Sequence, residues 1–170
     1  MKPILTFALT SILLTGACAT DMGSRQGDSP AQQLFSHNVQ AAQQLSRELK
    51  IAGNRNPVFF ATAVDLDDLG STSSFGRMIS EQVSSGLVSS GTPVNEIRLR
   101  GDLLVSQKAA GEFILSREVE KLTEGQAATH AVYGTYTKMR ESYSVTFKAV
   151  NLKTGVVVAT SSYVANARGL

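Results

Sequence analysis

Three carboxylates crowd one short stretch, Asp65, Asp67 and Asp68 in Asp65-Leu66-Asp67-Asp68-Leu69-Gly70. Carboxylate oxygens suit hard cations such as Ca²⁺ or Mg²⁺, so this cluster is the best candidate for metal chemistry. The calcium-loop spacing with its later Glu is absent. Residues alternate sides along a strand, so Asp65 and Asp67 share a face only while the chain stays extended. Two readings remain beside the metal: a strand-ending turn that caps the next helix, which is preferred, and an interaction loop facing a partner. Arg77, just after Gly76, is placed to pair with these aspartates in either case. The two histidines offer less. His37 falls on a helical pattern among Gln and Ser, and His130 just before a strand. Neither has a second ligand at zinc spacing, and both are expected at the surface or rim. Serines are plentiful, but Gly-x-Ser-x-Gly, a phosphate-binding loop and a dinucleotide fingerprint are all missing. The sequence therefore points to no catalytic residue, no bound metal and no cofactor.

Cys18 is the only cysteine, which excludes an internal disulfide. Its chemistry comes from what precedes it. Lys2 gives a positive start, Ile4 to Leu14 an apolar run, and Thr15, Gly16 and Ala17 a small-residue cleavage site, the order of a signal peptide. The run is too short for a permanent span. Leu14-Thr15-Gly16-Ala17-Cys18 resembles the bacterial lipobox, in which the chain is cut before the cysteine and the cysteine is acylated. Here that means cleavage between Ala17 and Cys18. The motif usually has Leu three places before Cys, where this chain has Thr15. The alternative is an ordinary leader cut at Ala17-Cys18-Ala19. Two or three acyl chains anchor durably at about 0.8 kcal/mol per buried methylene. Similarity to the sorting rule of enteric-type bacteria implies the outer membrane, since Ala19 and not Asp follows Cys18.

Positioning elements follow from spacing. Residues 1–17 read as leader, 18–28 as lipidated N-terminus and polar tether, and 29–170 as a single domain, an ordinary size for one core. Ser29-Pro30-Ala31-Gln32 starts a helix with a capping box and proline in its first turn. Leu34, Phe35, Val39, Ala42, Leu45 and Leu49 give it an apolar face, and Gly53 ends it. Val58 to Val64 is a buried strand. A second helix runs from about Phe75 to Ser89, with Phe75, Met78, Ile79, Val83 and Leu87 on one side. Val94 to Leu99 alternates as a strand. Leu103 to Ser106 and Glu112 to Leu115 form a small hairpin, and Ser116 caps a third helix stopped by Gly125. Three strands close the chain: Ala131 to Lys138, Tyr143 to Leu152, and Val156 to Val164, with Asn151 to Gly155 as the last turn. Helical crossovers require parallel pairing and tight turns antiparallel pairing. The fold class is α/β, a mixed sheet with helices packed against it. Tyr133, Tyr136 and Tyr143 are expected to pack within it.

The stretches Ala61 to Gly70, Ser74-Phe75-Gly76-Arg77, Gly111 to Arg117, Gly134-Thr135-Tyr136 and Asn151 to Gly155 resemble, in order, the FlgO family of flagellar outer-membrane lipoproteins. One departure is Asn151, where the family often has Asp. The resemblance implies a periplasm-facing lipoprotein associated with the flagellar outer-membrane rings and motility. It also implies a fold similar to the TolB N-terminal region and to lipoprotein activators of peptidoglycan synthases.

Composition agrees with a folded chain, at 42% hydrophobic residues, and the net charge of +2 with interspersed signs gives no support for nucleic-acid binding. The leading expectation is a non-enzymatic structural protein whose partners are the outer membrane, through its lipid, and other envelope or flagellar ring proteins, with self-association as a homo-oligomer. The alternative is an activator or scaffold for a periplasmic enzyme such as a peptidoglycan synthase. A metal-dependent or hydrolytic enzyme would need Asp65, Asp67, Asp68 and a histidine to converge in one pocket.

Overall fold

A computed structural model of the chain describes residues 29–97, 106–108, 112–114 and 127–168. The leader, Cys18, the tether and the third helix expected at Ser116 to Gly125 lie outside these residues. The first helix, α1, spans Pro30–Ile51. Its start is the expected capping box: Ser29 Oγ accepts from Gln32 N at 3.3 Å, and Gln32 Oε1 accepts from Ser29 N at 2.8 Å. The second helix, α2, spans Ser74–Ser89, with Ser73 Oγ accepting from Gly76 N. Strands follow in chain order as β1 Val58–Ala61, β2 Val64–Asp65, β3 Val94–Ile97, β4 Ser106–Lys108, β5 Glu112–Ile114, β6 His130–Lys138, β7 Ser142–Asn151 and β8 Val157–Asn166.

The main sheet runs β3-β1-β6-β7-β8, and β2 continues the β1 direction alongside β6. β1 pairs in parallel with β3 and β6, whereas β6, β7 and β8 form an antiparallel meander. The mixed α/β sheet expected from connection lengths is what the chain forms. The last turn is also as expected: Asn151 Oδ1 accepts from Lys153 N at 2.9 Å and Thr154 N at 3.1 Å, and Gly155 takes φ +71°, which only glycine adopts without strain.

The single strand expected over Val58 to Val64 is in fact two. Phe60 lies opposite Val132 and Val64 opposite Thr135, so this side carries one residue more than β6 between the two pairings, as at a bulge. The backbone groups released there are taken by side chains. Ala63 N donates to Ser80 Oγ at 2.8 Å, and Thr72 Oγ1 donates to Ala63 O at 2.8 Å. The small hairpin is present as β4 and β5, with Ser106 opposite Ile114; of the expected first limb, Leu103 to Val105 lie outside the described residues, and the strand runs on to Lys108.

Both helices pack on one sheet face. Leu34, Leu45 and Leu49 of α1 and Ile79, Val83 and Leu87 of α2 meet Val58, Phe60, Val132, Val145 and Phe147 of the sheet. Two residues expected on the apolar faces point outward instead: Phe35 is 55% and Met78 36% exposed. A helical stripe needs only the positions that face the sheet, and the buried sets include Asn38 and Ser46 on α1 and Ser80 and Ser84 on α2. The opposite sheet face holds a second buried cluster, Phe59, Ala61, Ala131, Tyr133 and Val150. Among the described residues, no helix is long and apolar enough to cross a membrane.

Candidate functional site

The carboxylate segment leaves β2 and turns across the end of the sheet into α2. Asp65 is half-buried, whereas Asp67 and Asp68 are exposed. Each carboxylate is engaged locally. Asp65 Oδ1 accepts from Asp67 N at 2.9 Å, and Asp68 Oδ1 from Gly70 N at 3.2 Å, so both close the Asx turns that aspartates favour. Asp67 Oδ2 accepts from Thr137 Oγ1 of β6 at 3.1 Å. The backbone closes the loop further, Asp65 N donating to Ser71 O at 3.1 Å and Leu66 N to Tyr136 O at 2.7 Å.

Arg77 does not cross the loop to these aspartates. Its Nη2 donates to Ser74 Oγ at 3.1 Å, one turn back on α2. The expected pairing fails because Arg77 lies on the outward side of the helix while the aspartates are turned toward their own backbone and Thr137. Among the described residues, no group of three His, Cys, Asp or Glu is disposed to hold a metal ion. Of the readings open at these positions, the geometry fits a strand-ending turn.

Below the loop lies a packed joint. Tyr136 Oη accepts from Ser73 N at 2.8 Å. Its ring meets Phe75 edge-on, centroids 5.5 Å apart, and Phe75 stacks on Tyr143 at 3.9 Å. Ser80 Oγ donates to Gly76 O at 2.7 Å while accepting from Ala63 N. Gly76 is there because nothing larger fits: a Cβ would lie 2.5 Å from Tyr136 Cε1 and 2.8 Å from the Ala63 carbonyl oxygen. Gly134 is equally constrained, its Cβ falling 2.5 Å from Phe147 Cε1. The roles of Ser80 and Gly134 were not read from sequence; a glycine inside an alternating strand was the available signal. A groove of 440 Å³ opens beside the joint, lined by Ser73, Ser74, Phe75, Met78 and Tyr143.

The histidines divide. His37 stacks on Tyr163, centroids 5.3 Å apart. His130, expected at the rim, is buried at 4% exposure. Its Nδ1 lies 2.9 Å from Thr129 Oγ1 and 3.2 Å from Asn54 Oδ1, and its Nε2 3.5 Å from Asn151 Nδ2. Burial lowers its pKa, so it is a neutral hydrogen-bonding post at the start of β6 and lies far from the aspartates. Tyr136 is buried and Tyr143 packs on the main core, as expected, and burial pushes the Tyr133 hydroxyl up to about 12.

At the outer edge of the sheet, α1 side chains cap β8. Glu48 Oε2 accepts from Thr160 N at 3.0 Å, and Gln44 Nε2 donates to Thr160 O at 2.9 Å.

A family model described as FlgO protein matches residues 39–169. The chain belongs to the FlgO family. The match takes in α1 from its third turn and every later element among the described residues. Membership of this family makes the chain an envelope lipoprotein. No curated protein matches it in sequence. Among solved structures, the LpoB C-terminal domain from Salmonella enterica is similar at 14% identity and a TM-score of 0.48, over 76% of this chain and 98% of that one. The PelC dodecamer from Paraburkholderia phytofirmans is similar at 15% identity and 0.42, over 68% and 75%. Lipoprotein GNA1162 from Neisseria meningitidis follows at 15% and 0.40, over 65% and 80%. At these scores the similarities are distant.

Proposed function

We propose that this FlgO-family chain is a non-enzymatic outer-membrane lipoprotein. Residues 1–17 are its leader, Cys18 carries the lipid, 18–28 are the tether and 29–170 the working domain. Facing the periplasm, it acts as a structural component associated with the outer rings of the flagellar basal body, and hence with motility. The family match over residues 39–169 carries this reading. The carboxylate segment supports it in a smaller way, because its side chains are engaged in building a loop and not gathered around a reacting centre.

Self-association is assigned to the β8 edge. β8 has ten residues and no charged side chain, and Val164 is 58% exposed. Long uncharged edges are where sheets pair with other chains. Gln44 and Glu48 occupy Thr160, leaving Ser162 to Asn166 as the segment for pairing.

Two measurements test the proposal. A deletion strain should lose motility or assemble defective outer rings; normal swimming with intact rings removes the flagellar role. Fractionation of Cys18→Ala should move the protein from the outer membrane to the soluble periplasm. Unchanged membrane retention would show that acylation is not what holds it.

A further inference from the structure

The end of the sheet opposite the carboxylates has a different character. There β1, β3 and β6 begin and β7 ends, with Val58 opposite Val94 and His130, and His130 opposite Asn151. α1 finishes at the same end, and its last turns with the following loop line a cleft of 490 Å³ that contains Arg47, Lys50, Ile51, Arg55 and Ser90. Among the described residues, no carboxylate lines it. The nearby Glu48 is turned to the β8 edge, on Thr160 N. The described connections at this end, 52–57, 90–93, 127–129 and 151–156, contain Arg55 and Lys153 but no Asp or Glu. Lys50 Nζ donates to Ser90 O at 2.7 Å, while among the described residues the guanidiniums of Arg47 and Arg55 have no hydrogen-bond or ion-pair partner.

Large aliphatic side chains are exposed at the same end of the sheet. Ile51 is 81% exposed, Val156 57% and Val157 43%. Such residues ordinarily go inside. Exposed aliphatics at the end of the sheet that also carries Arg47, Lys50, Arg55 and Lys153, with no acid in the described connections there, match a surface that is anionic at headgroup level and apolar just beneath.

We propose that this end of the domain docks on an anionic phospholipid surface, the Arg47–Lys50–Arg55 cleft taking the phosphodiester headgroup and Ile51 entering the acyl boundary. Arginine suits the headgroup because its planar fork meets phosphate oxygens two at a time. The contact deepens the lipoprotein reading by adding a second attachment, yet it does not require Cys18 to be acylated. Geometry permits both on one leaflet. α1 is about 33 Å long, and the chain from Cys18 to Ser29, extended, reaches about 36 Å.

The test uses the full chain with Cys18→Ala and Ala52→Cys, so that one thiol carries an environment-sensitive fluorophore beside Ile51. Whatever holds the N-terminus is then common to every arm, and position 52 reports only local docking. With vesicles containing phosphatidylglycerol, the label should shift to the blue and be quenched by brominated lipid. With pure phosphatidylcholine vesicles it should do neither. A basic residue near an anionic surface contributes about a fivefold gain, so Arg47→Gln with Arg55→Gln should lower the docked-to-undocked ratio on the order of 25-fold. Ile51→Ser should keep the lipid preference but reduce the quenching. A label at Ser74→Cys, at the carboxylate end, should not distinguish the vesicles. Equal signals from both lipids, or none from either, overturn the proposal. So does a response to inorganic phosphate alone with none to vesicles, which would make the cleft a site for free phosphate. Failure here leaves the Cys18 fractionation result standing, and failure there leaves this one standing.

Discussion

The two ends of the sheet hold similar densities of charge and treat them oppositely. At one end, Asp65, Asp67 and Asp68 are folded back onto backbone amides and Thr137, and the chain there is fixed by Tyr136, Phe75, Ser80 and the close approach at Gly76. At the other end, Arg47 and Arg55 line a cleft with no acid among its described lining residues, beside the 81%-exposed Ile51. Aspartate has a short side chain able to accept from amides two residues on, so a cluster of aspartates tends to build its own loop. Arginine has a long stem, and its donors find no local carbonyl in easy reach. Conspicuous residue types therefore mark the end that supports the fold, and the less conspicuous cations mark the end still available to a ligand.

The largest effect expected is at the joint under the carboxylates. Tyr136→Ala removes a buried ring and the acceptor of Ser73 N, and should cost about 3–5 kcal/mol in urea unfolding; a loss below about 1 kcal/mol would show that the joint does not hold this end. Gly76→Ala forces a Cβ against the Ala63 carbonyl and the Tyr136 ring, and should cost about 1–3 kcal/mol. A neutral result would mean the α2 start shifts easily. At the basic end the sign is set by His130. Its folded pKa is lowered by burial, so the unfolded chain takes up the proton first as pH falls. Stability should be flat above the unfolded value of about 6.5 and decline below it until the lowered folded pKa is reached. His130→Gln should flatten that decline, and an unchanged pH profile would refute the assignment. The smallest effect belongs to the most suggestive residues. Asp67→Ala and Asp68→Ala should each change stability by no more than about 1 kcal/mol, and millimolar Ca²⁺ should leave Tm unmoved in calorimetry. A calcium-dependent rise in Tm would restore the metal reading and erase the contrast between the two ends.

Much of the architecture was legible because its causes are local. The capping box at Ser29 and Gln32, the Asn151–Gly155 turn and the alternation Tyr143, Val145, Phe147, Ala149 each lie within a few residues, and each is found where expected. Most of the less legible features are long-range. Val58 to Val64 reads as one apolar strand, and only Ser80 and Thr72, arriving from α2 and its preceding loop, show why it breaks at Ala63. His130 looks like a rim residue until Asn54, 76 positions away, and Asn151 close around it. Arg77 looked like a partner for the aspartates, and helical rotation directs it to Ser74.

The amino-acid order by itself determined the mixed sheet, its helices and the family, because periodicity, caps and turn chemistry act over neighbouring residues and repeat along the chain. Tertiary structure decided which polar groups remain available. That depends on pairs such as Glu48 with Thr160 or Asp67 with Thr137, whose partners are brought together by strand register and helix rotation and not by their spacing along the chain.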